Sequence, residues 1–204
     1  MGTPPGGFMG LQHIAIKVHD IEAAIDFYVN KLGFTVTEIY TPGQLEGFPF
    51  GLCFMRCHEL HHDFNLIFWP KGEVPAPESN SFEEARCGLH HVAIRLPSKV
   101  EMDAWDAYLK EEGIEVFYGP VVHSPTHPDG DGFWGENRAL YFCDPSGNAI
   151  ELFCDMAPMD PATNQVNKAW FRDRLERDGH PGDIAEPPPA WKSDYSFLEA
   201  YRKK

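Results

Sequence analysis

Two stretches of the chain repeat one apolar/polar pattern: LQHIAIKV at 11–18 and LHHVAIRL at 89–96. Both alternate or run apolar with β-branched residues, which is the pattern of a partly buried strand. A helical period follows each. After the first, Ile21, Ala24, Ile25, Tyr28 and Leu32 recur at helical spacing, with Asp20 placed to cap the start and Gly33 to end the helix. After the second, Ser98 and Glu101 form a capping box, Met102, Trp105, Tyr108 and Leu109 make the apolar stripe, and Gly113 is the stop. The extended segments FTVTEIY and IEVFYG come next. Each copy then closes on apolar strands, LCFMRC and FNLIF in the first, ALYFC and IELF in the second, the last two joined through the turn sequence DPSG.

The pattern predicts a βαβββ unit present twice. His13 corresponds to His91 at an offset of 78 (91 − 13), and Asn65 to Glu151 at 86 (151 − 65). The extra residues fall in the Gly/Pro/His-rich loop VVHSPTHPDGDGFWGEN. The expected class is α+β: a first module over 1–69, a Pro- and Glu-rich linker over 70–87, a second module over 88–154, and a C-terminal arm over 155–204. The two modules are expected to form one structural domain.

Composition narrows the function classes. With 43% hydrophobic residues among 204, the chain has the means to bury a core. Its net charge of -14 repels phosphate backbones and anionic lipid surfaces, so neither nucleic acid nor membrane is an expected partner. No run approaches a membrane span, and MGTPPGGFMG lacks the pattern of a secretory signal. The five cysteines contain no CxxC, which reads as free thiols in a reducing cytoplasm.

The duplication brings four positions into correspondence: His13 and His91 on the first strands, Asn65 and Glu151 on the last. A lone strand histidine is usually structural, and a glutamate in IELF is as well explained by facing water as by binding a metal. Equivalent histidines in two copies shift that balance. Two histidines and one carboxylate, with only asparagine as a fourth group, fit the facial triad of non-haem Fe(II). Such a triad leaves room for a chelating substrate and for dioxygen. His90 adjoins His91, and strand alternation predicts that it turns the other way.

From Leu11 to Phe153 the chain resembles the vicinal oxygen chelate superfamily, through the paired modules and the ending DPSGNAIELF. Within it the chain is most similar to one-domain type I extradiol (catechol ring-cleaving) dioxygenases. The residues that carry this are His61-His62 before the last strand of the first module, and Tyr141 ten residues before Glu151 (151 − 141). The resemblance implies a cup-shaped mixed-sheet barrel around a metal site, with His13, His91 and Glu151 binding Fe(II), or Mn(II). It implies His62 as the acid–base residue and Tyr141 as the hydrogen-bond partner of a substrate oxygen. His123 and His127 are loop candidates for the substrate, joined by Phe133, Trp134 and Arg138. The implied partners are a small aromatic diol and O2, and the aromatic tail points to a homo-oligomer. Two alternatives stand beside this reading. A glyoxalase-type lyase or epimerase with another divalent metal usually adds a fourth ligand where Asn65 stands. A small-molecule-sequestering protein commonly lacks the metal ligands.

Overall fold

The computed structural model describes residues 13–83, 88–132, 135–190 and 196. The first repeat folds as β1 (Ile14–Lys17), α1 (Ile21–Ile25), which continues as a π-helical turn over Asp26–Lys31, then β2 (Thr35–Tyr40), β3 (Gly51–Arg56) and β4 (Phe64–Phe68). The second folds as β5 (Val92–Arg95), α2 (Lys99–Glu111), β6 (Val116–His123), β7 (Asn137–Cys143) and β8 (Ala149–Cys154). The strand orders are β1-β4-β3-β2 and β5-β8-β7-β6, the same permutation twice. In the first sheet β1 runs parallel to β4, while β3 is antiparallel to both β4 and β2. The mixed α+β fold and its duplication are therefore as the sequence pattern predicts. The barrel is not: the strands form two open four-stranded sheets. Each module keeps its own ladder, and among the described residues no strand of one pairs with a strand of the other.

The caps behave as their residue types require. Asp20 accepts from the N–H groups of Glu22 and Ala23 at 2.9 and 3.1 Å, and Ser98 from that of Val100 at 3.1 Å. Gly33 ends the first helix at φ 76, where a side chain would be strained. Both strand 1 and strand 5 begin later than the alternation predicts. His13 stands immediately before β1 and His91 immediately before β5, so their equivalence survives, but neither lies within a strand.

By contacts the chain divides into two units. One takes the chain up to Val92 together with Cys143–Ala149; the other takes Ala93–Phe142 together with Ile150 onward. In the first, the rings of Tyr28, Phe34 and Phe64 pack within 5.6 Å of one another, centroid to centroid. In the same unit the turn Asp144–Asn148 is tied down by its own aspartate. Asp144 Oδ1 accepts from the N–H groups of Ser146 and Asn148, each at 2.8 Å. Its Oδ2 accepts from the buried Tyr28 hydroxyl at 3.0 Å.

In the second unit the arm after β8 forms a two-stranded ribbon, β9 (Met159–Asp160) with β10 (Gln165–Val166), and a helix, α3 (Lys168–Arg177). Val166, Phe171 and Leu175 build its small apolar core. Among the described residues no helix is long and apolar enough to cross a membrane.

Burial raises the Asp144 carboxyl above its ordinary value, and its hydrogen bonds, including that from Tyr28, offset part of the rise. Because the folded value lies above the unfolded one, ionising Asp144 costs stability as pH rises through that interval. The Tyr28 bond favours the charged form, so its contribution appears above the Asp144 titration and fades below it. Tyr28→Phe is expected to cost about 1.5–3 kcal/mol near neutrality in urea denaturation, the range for a hydrogen bond to a charged group. That cost should shrink as pH is lowered through the Asp144 titration; a cost independent of pH would mean that the carboxylate is not the partner that matters.

Candidate active-site groups

Each unit gathers its own share of the predicted residues. In the first, Asn65 pairs in register with Ala15 on one side and Phe54 on the other, so these three share a face of the sheet. The Phe54 ring lies 4.9 Å from that of His62, and the His62 ring 5.0 Å from that of His13. A predicted acid–base histidine thus stands beside a predicted metal ligand. His61 meets His62 through their Nδ1 atoms at 3.0 Å, which leaves His62 Nε2 for other work. Asn65 is only 5% exposed, and its Oδ1 has no hydrogen-bond partner among the described residues. His90 and His91 bring their Nδ1 atoms to 2.7 Å. They are not turned apart, because strand alternation begins only at Val92.

In the second unit Glu151 is buried at 6% exposure in the apolar strand AIELFC. Two of its donors are uncharged. Asn137 Nδ2 donates to Oε1 at 3.2 Å, and the Tyr141 phenol also bonds the carboxylate. Burial first, and then the charge of Glu151 and the bond to it, push the Tyr141 phenol well above its ordinary value. The connection from Cys143 to Ala149 is the five-residue stretch Asp144–Asn148. Of the two loop histidines, His123 is the one brought to Tyr141: its Nε2 lies 3.2 Å from the phenol oxygen. Its Nδ1 is 2.6 Å from Asp131 Oδ2, which also accepts from the Tyr118 hydroxyl at 3.0 Å. With Asp131 as acceptor, Nδ1 carries the proton when the ring is neutral, and Nε2 then competes with Glu151 for the single hydroxyl proton of Tyr141.

His127 and Arg138 have other partners. His127 Nδ1 accepts from the Asp129 N–H at 3.1 Å, and its Nε2 lies 3.0 Å from Asp178. Arg138 is held between Asp155 and Asp178. Arg174, with no exposed surface, reaches Glu136 at 3.4 Å and Asp178 at 3.7 Å. These groups bind α3 to the second repeat. A group of potential metal ligands lies among them, His127, Asp129 and His180, whose ligand atoms are all within 4.8 Å of one another. Hydrogen bonds and ion pairs already engage those atoms, Asp129 holding His180 Nε2 at 2.7 Å. Burial, then the nearby Arg174 charge, hold His127 below the usual imidazole range, in keeping with its acceptor Nδ1. A cavity of about 340 Å³ against α2 and β6 is lined by Met102, Val122, Asp131 and Arg138 among others; His62, Tyr141 and Glu151 do not border it.

Phe133 and Trp134 lie outside the described residues. Sequence reasoning passed over Asn137, Asp131 and Arg174. Asp131 reads as a turn residue in HPDGDG, and Arg174 as one charge among many in the arm. Only the polar opening of the apolar strand NRALYFC marks Asn137.

Comparison with known proteins adds an independent line. A family model described as the Glyoxalase/Bleomycin resistance protein/Dioxygenase superfamily matches residues 10–152. A glyoxalase domain-containing protein of Mycosarcoma maydis is 31% identical over 70% of this chain and 66% of its own. The 3-methylcatechol 2,3-dioxygenase of Pseudomonas putida is 34% identical over 71% of this chain and 42% of its own, and biphenyl-2,3-diol 1,2-dioxygenase 3 of Rhodococcus globerulus 28% over 71% and 63%. The chain thus spans less than two thirds of the length of these relatives. In structure, a glyoxalase family protein from Enterococcus faecalis superposes with a TM-score of 0.51 at 25% identity, covering 72% of this chain and 98% of that one.

The matched stretch ends at residue 152, before α3. Arg174→Met would leave Glu136 and Asp178 without that buried cation, and is expected to destabilise the fold by about 3–5 kcal/mol in urea denaturation. A loss under about 1 kcal/mol would show that the arm is not held by this charge.

Proposed function

Because the chain belongs to the glyoxalase/bleomycin resistance protein/dioxygenase superfamily, we propose that it is a metal-dependent extradiol dioxygenase that opens a catechol beside its diol, both atoms of O2 entering the product. One observation carries the reading. Each unit sets a proton-handling group beside a candidate ligand, His62 beside His13 and Tyr141 on Glu151. Relatives described as catechol and biphenyl-diol dioxygenases support it.

The donor set fits a divalent cation. His13 and His91 occupy equivalent positions before β1 and β5, and Glu151 is a buried carboxylate that accepts from Asn137 and Tyr141. His13, His91 and Glu151 would hold the metal, with Fe(II) as the assignment and Mn(II) as its substitute. The bound metal supplies Lewis acidity, making loss of the catechol protons feasible near neutrality, and a path for electrons from substrate to O2. The protein's own groups then act on protons and orientation. His62, its Nδ1 engaged by His61, would take a catechol proton at Nε2 and return it to the oxygen released as the O–O bond breaks. Tyr141, beside His123, would turn its one hydroxyl proton from Glu151 to the substrate oxygen that becomes a carbonyl. Asn65, a weak ligand, leaves coordination open where a lyase of this superfamily would add a fourth protein group.

The test is anaerobic loading with Fe(II), then a panel of catechols in air. Oxygen uptake with a yellow ring-fission product is expected. Silence across the panel, with turnover of methylglyoxal and glutathione, would replace the dioxygenase by a lyase. His62→Phe should keep its metal and slow turnover by about 10²–10⁴-fold. Glu151→Ala should lose metal, and full occupancy in that variant would remove Glu151 from the ligand set.

A further inference from the structure

Asn137 opens β7 at 4% exposure, with its Nδ2–H on Glu151 Oε1. Its surroundings fix the direction of that amide. The Asn137 carbonyl accepts from Arg174 Nη2 at 3.3 Å. The preceding residue, Glu136, has φ 51, a backbone region unfavourable to side chains, and is held there from several directions. The Ser124 hydroxyl donates to its Oε1 at 2.8 Å, Arg174 Nη1 to its Oε2, and the Ala157 N–H to its carbonyl at 2.9 Å. One residue further back, Gly135 has φ 147, and a Cβ there would come within 2.8 Å of Asn137 Oδ1. Glycine therefore leaves the amide its place, with Oδ1 backed against Gly135 and Nδ2 aimed at the carboxylate.

We propose that Asn137 is a positioning residue, whose neutral amide fixes the rotamer in which Glu151 presents its carboxylate to the metal. The inference rests on the reading of Glu151 as a ligand. The choice of amide has a physical reason. A lysine or arginine at this place would orient the carboxylate equally well but would neutralise it and compete with the cation, whereas an uncharged donor orients the group and leaves its charge for the metal. Arg174 and Glu136 supply the rigidity from behind, so the arm contributes to the site without touching it.

The test is titration of the metal-free protein with Co(II), followed by visible absorption, for wild type, Asn137→Leu, Asn137→Ser and Glu151→Ala, with metal-free melting temperatures measured alongside. Both Asn137 variants are expected to bind Co(II) about 10- to 100-fold more weakly than wild type, and Glu151→Ala more weakly still. Should Asn137→Leu fail to fold, Asn137→Ser, whose hydroxyl is too short to reach Glu151, is read in its place. Wild-type affinity in the Asn137 variants, with or without a lowered melting temperature, alongside metal loss in Glu151→Ala, overturns the inference and leaves the ligand assignment standing. Wild-type affinity in Glu151→Ala overturns both.

Discussion

A carboxylate in the middle of an apolar strand sets the terms for everything around it. Glu151 lies within AIELFC at 6% exposure, and a buried charge is tolerated only where hydrogen bonds or a counter-charge compensate the lost water. The second repeat brings an amide and a phenol to it. Those two donors are themselves secured, Tyr141 by His123 and Asp131, and Asn137 by Arg174. A layered arrangement follows, in which groups further from the carboxylate exist to keep the nearer ones in place. The first repeat has no such demand to meet. Its corresponding position, Asn65, is neutral, and burying it costs far less than burying an ion.

Duplication accounts for the symmetry, and its breakage accounts for the chemistry. Both repeats use the same strand permutation, and both place a histidine just before the opening strand. They differ where chemistry needs difference. Asn65 stands in one where the other has a carboxylate, and the loop between β6 and β7 is longer in the second, bringing Asp131 to His123 at the end of β6. That loop also delivers His127 to the arm, so one segment serves both the His123–Tyr141 pair and the attachment of α3.

Much of this was readable in the residues. The period-two and period-3.6 patterns located both repeats, and the caps at Asp20 and Ser98 act as their chemistry dictates. Matching the repeats picked out His13, His91 and Glu151 without any knowledge of contacts. What was not readable has physical causes. Sheet closure depends on twist accumulated between strands, which the pattern along one strand does not encode. The fates of His127 and Arg138 were decided by carboxylates about twenty to fifty residues away, Asp155 and Asp178, in a region whose sequence reads only as charged and aromatic. The π-helical turn at Asp26–Lys31 inserts a residue that no periodicity marks. The pairing of His90 with His91 followed from a strand start three residues later than the alternation implies.

The turn Asp144–Asn148 belongs by sequence to the second repeat, yet its partners are Tyr28, Lys17, His19 and Ser81, all from the chain before it. This has a bearing on how such a chain can evolve. A segment of the second repeat is thus held by the first within one polypeptide. Dividing the gene between them would convert those bonds from intramolecular to bimolecular, and the high effective concentration supplied by the linker would be lost. Fusion therefore matters to this turn: the linker keeps the first repeat within reach of a loop that the second repeat's sequence supplies.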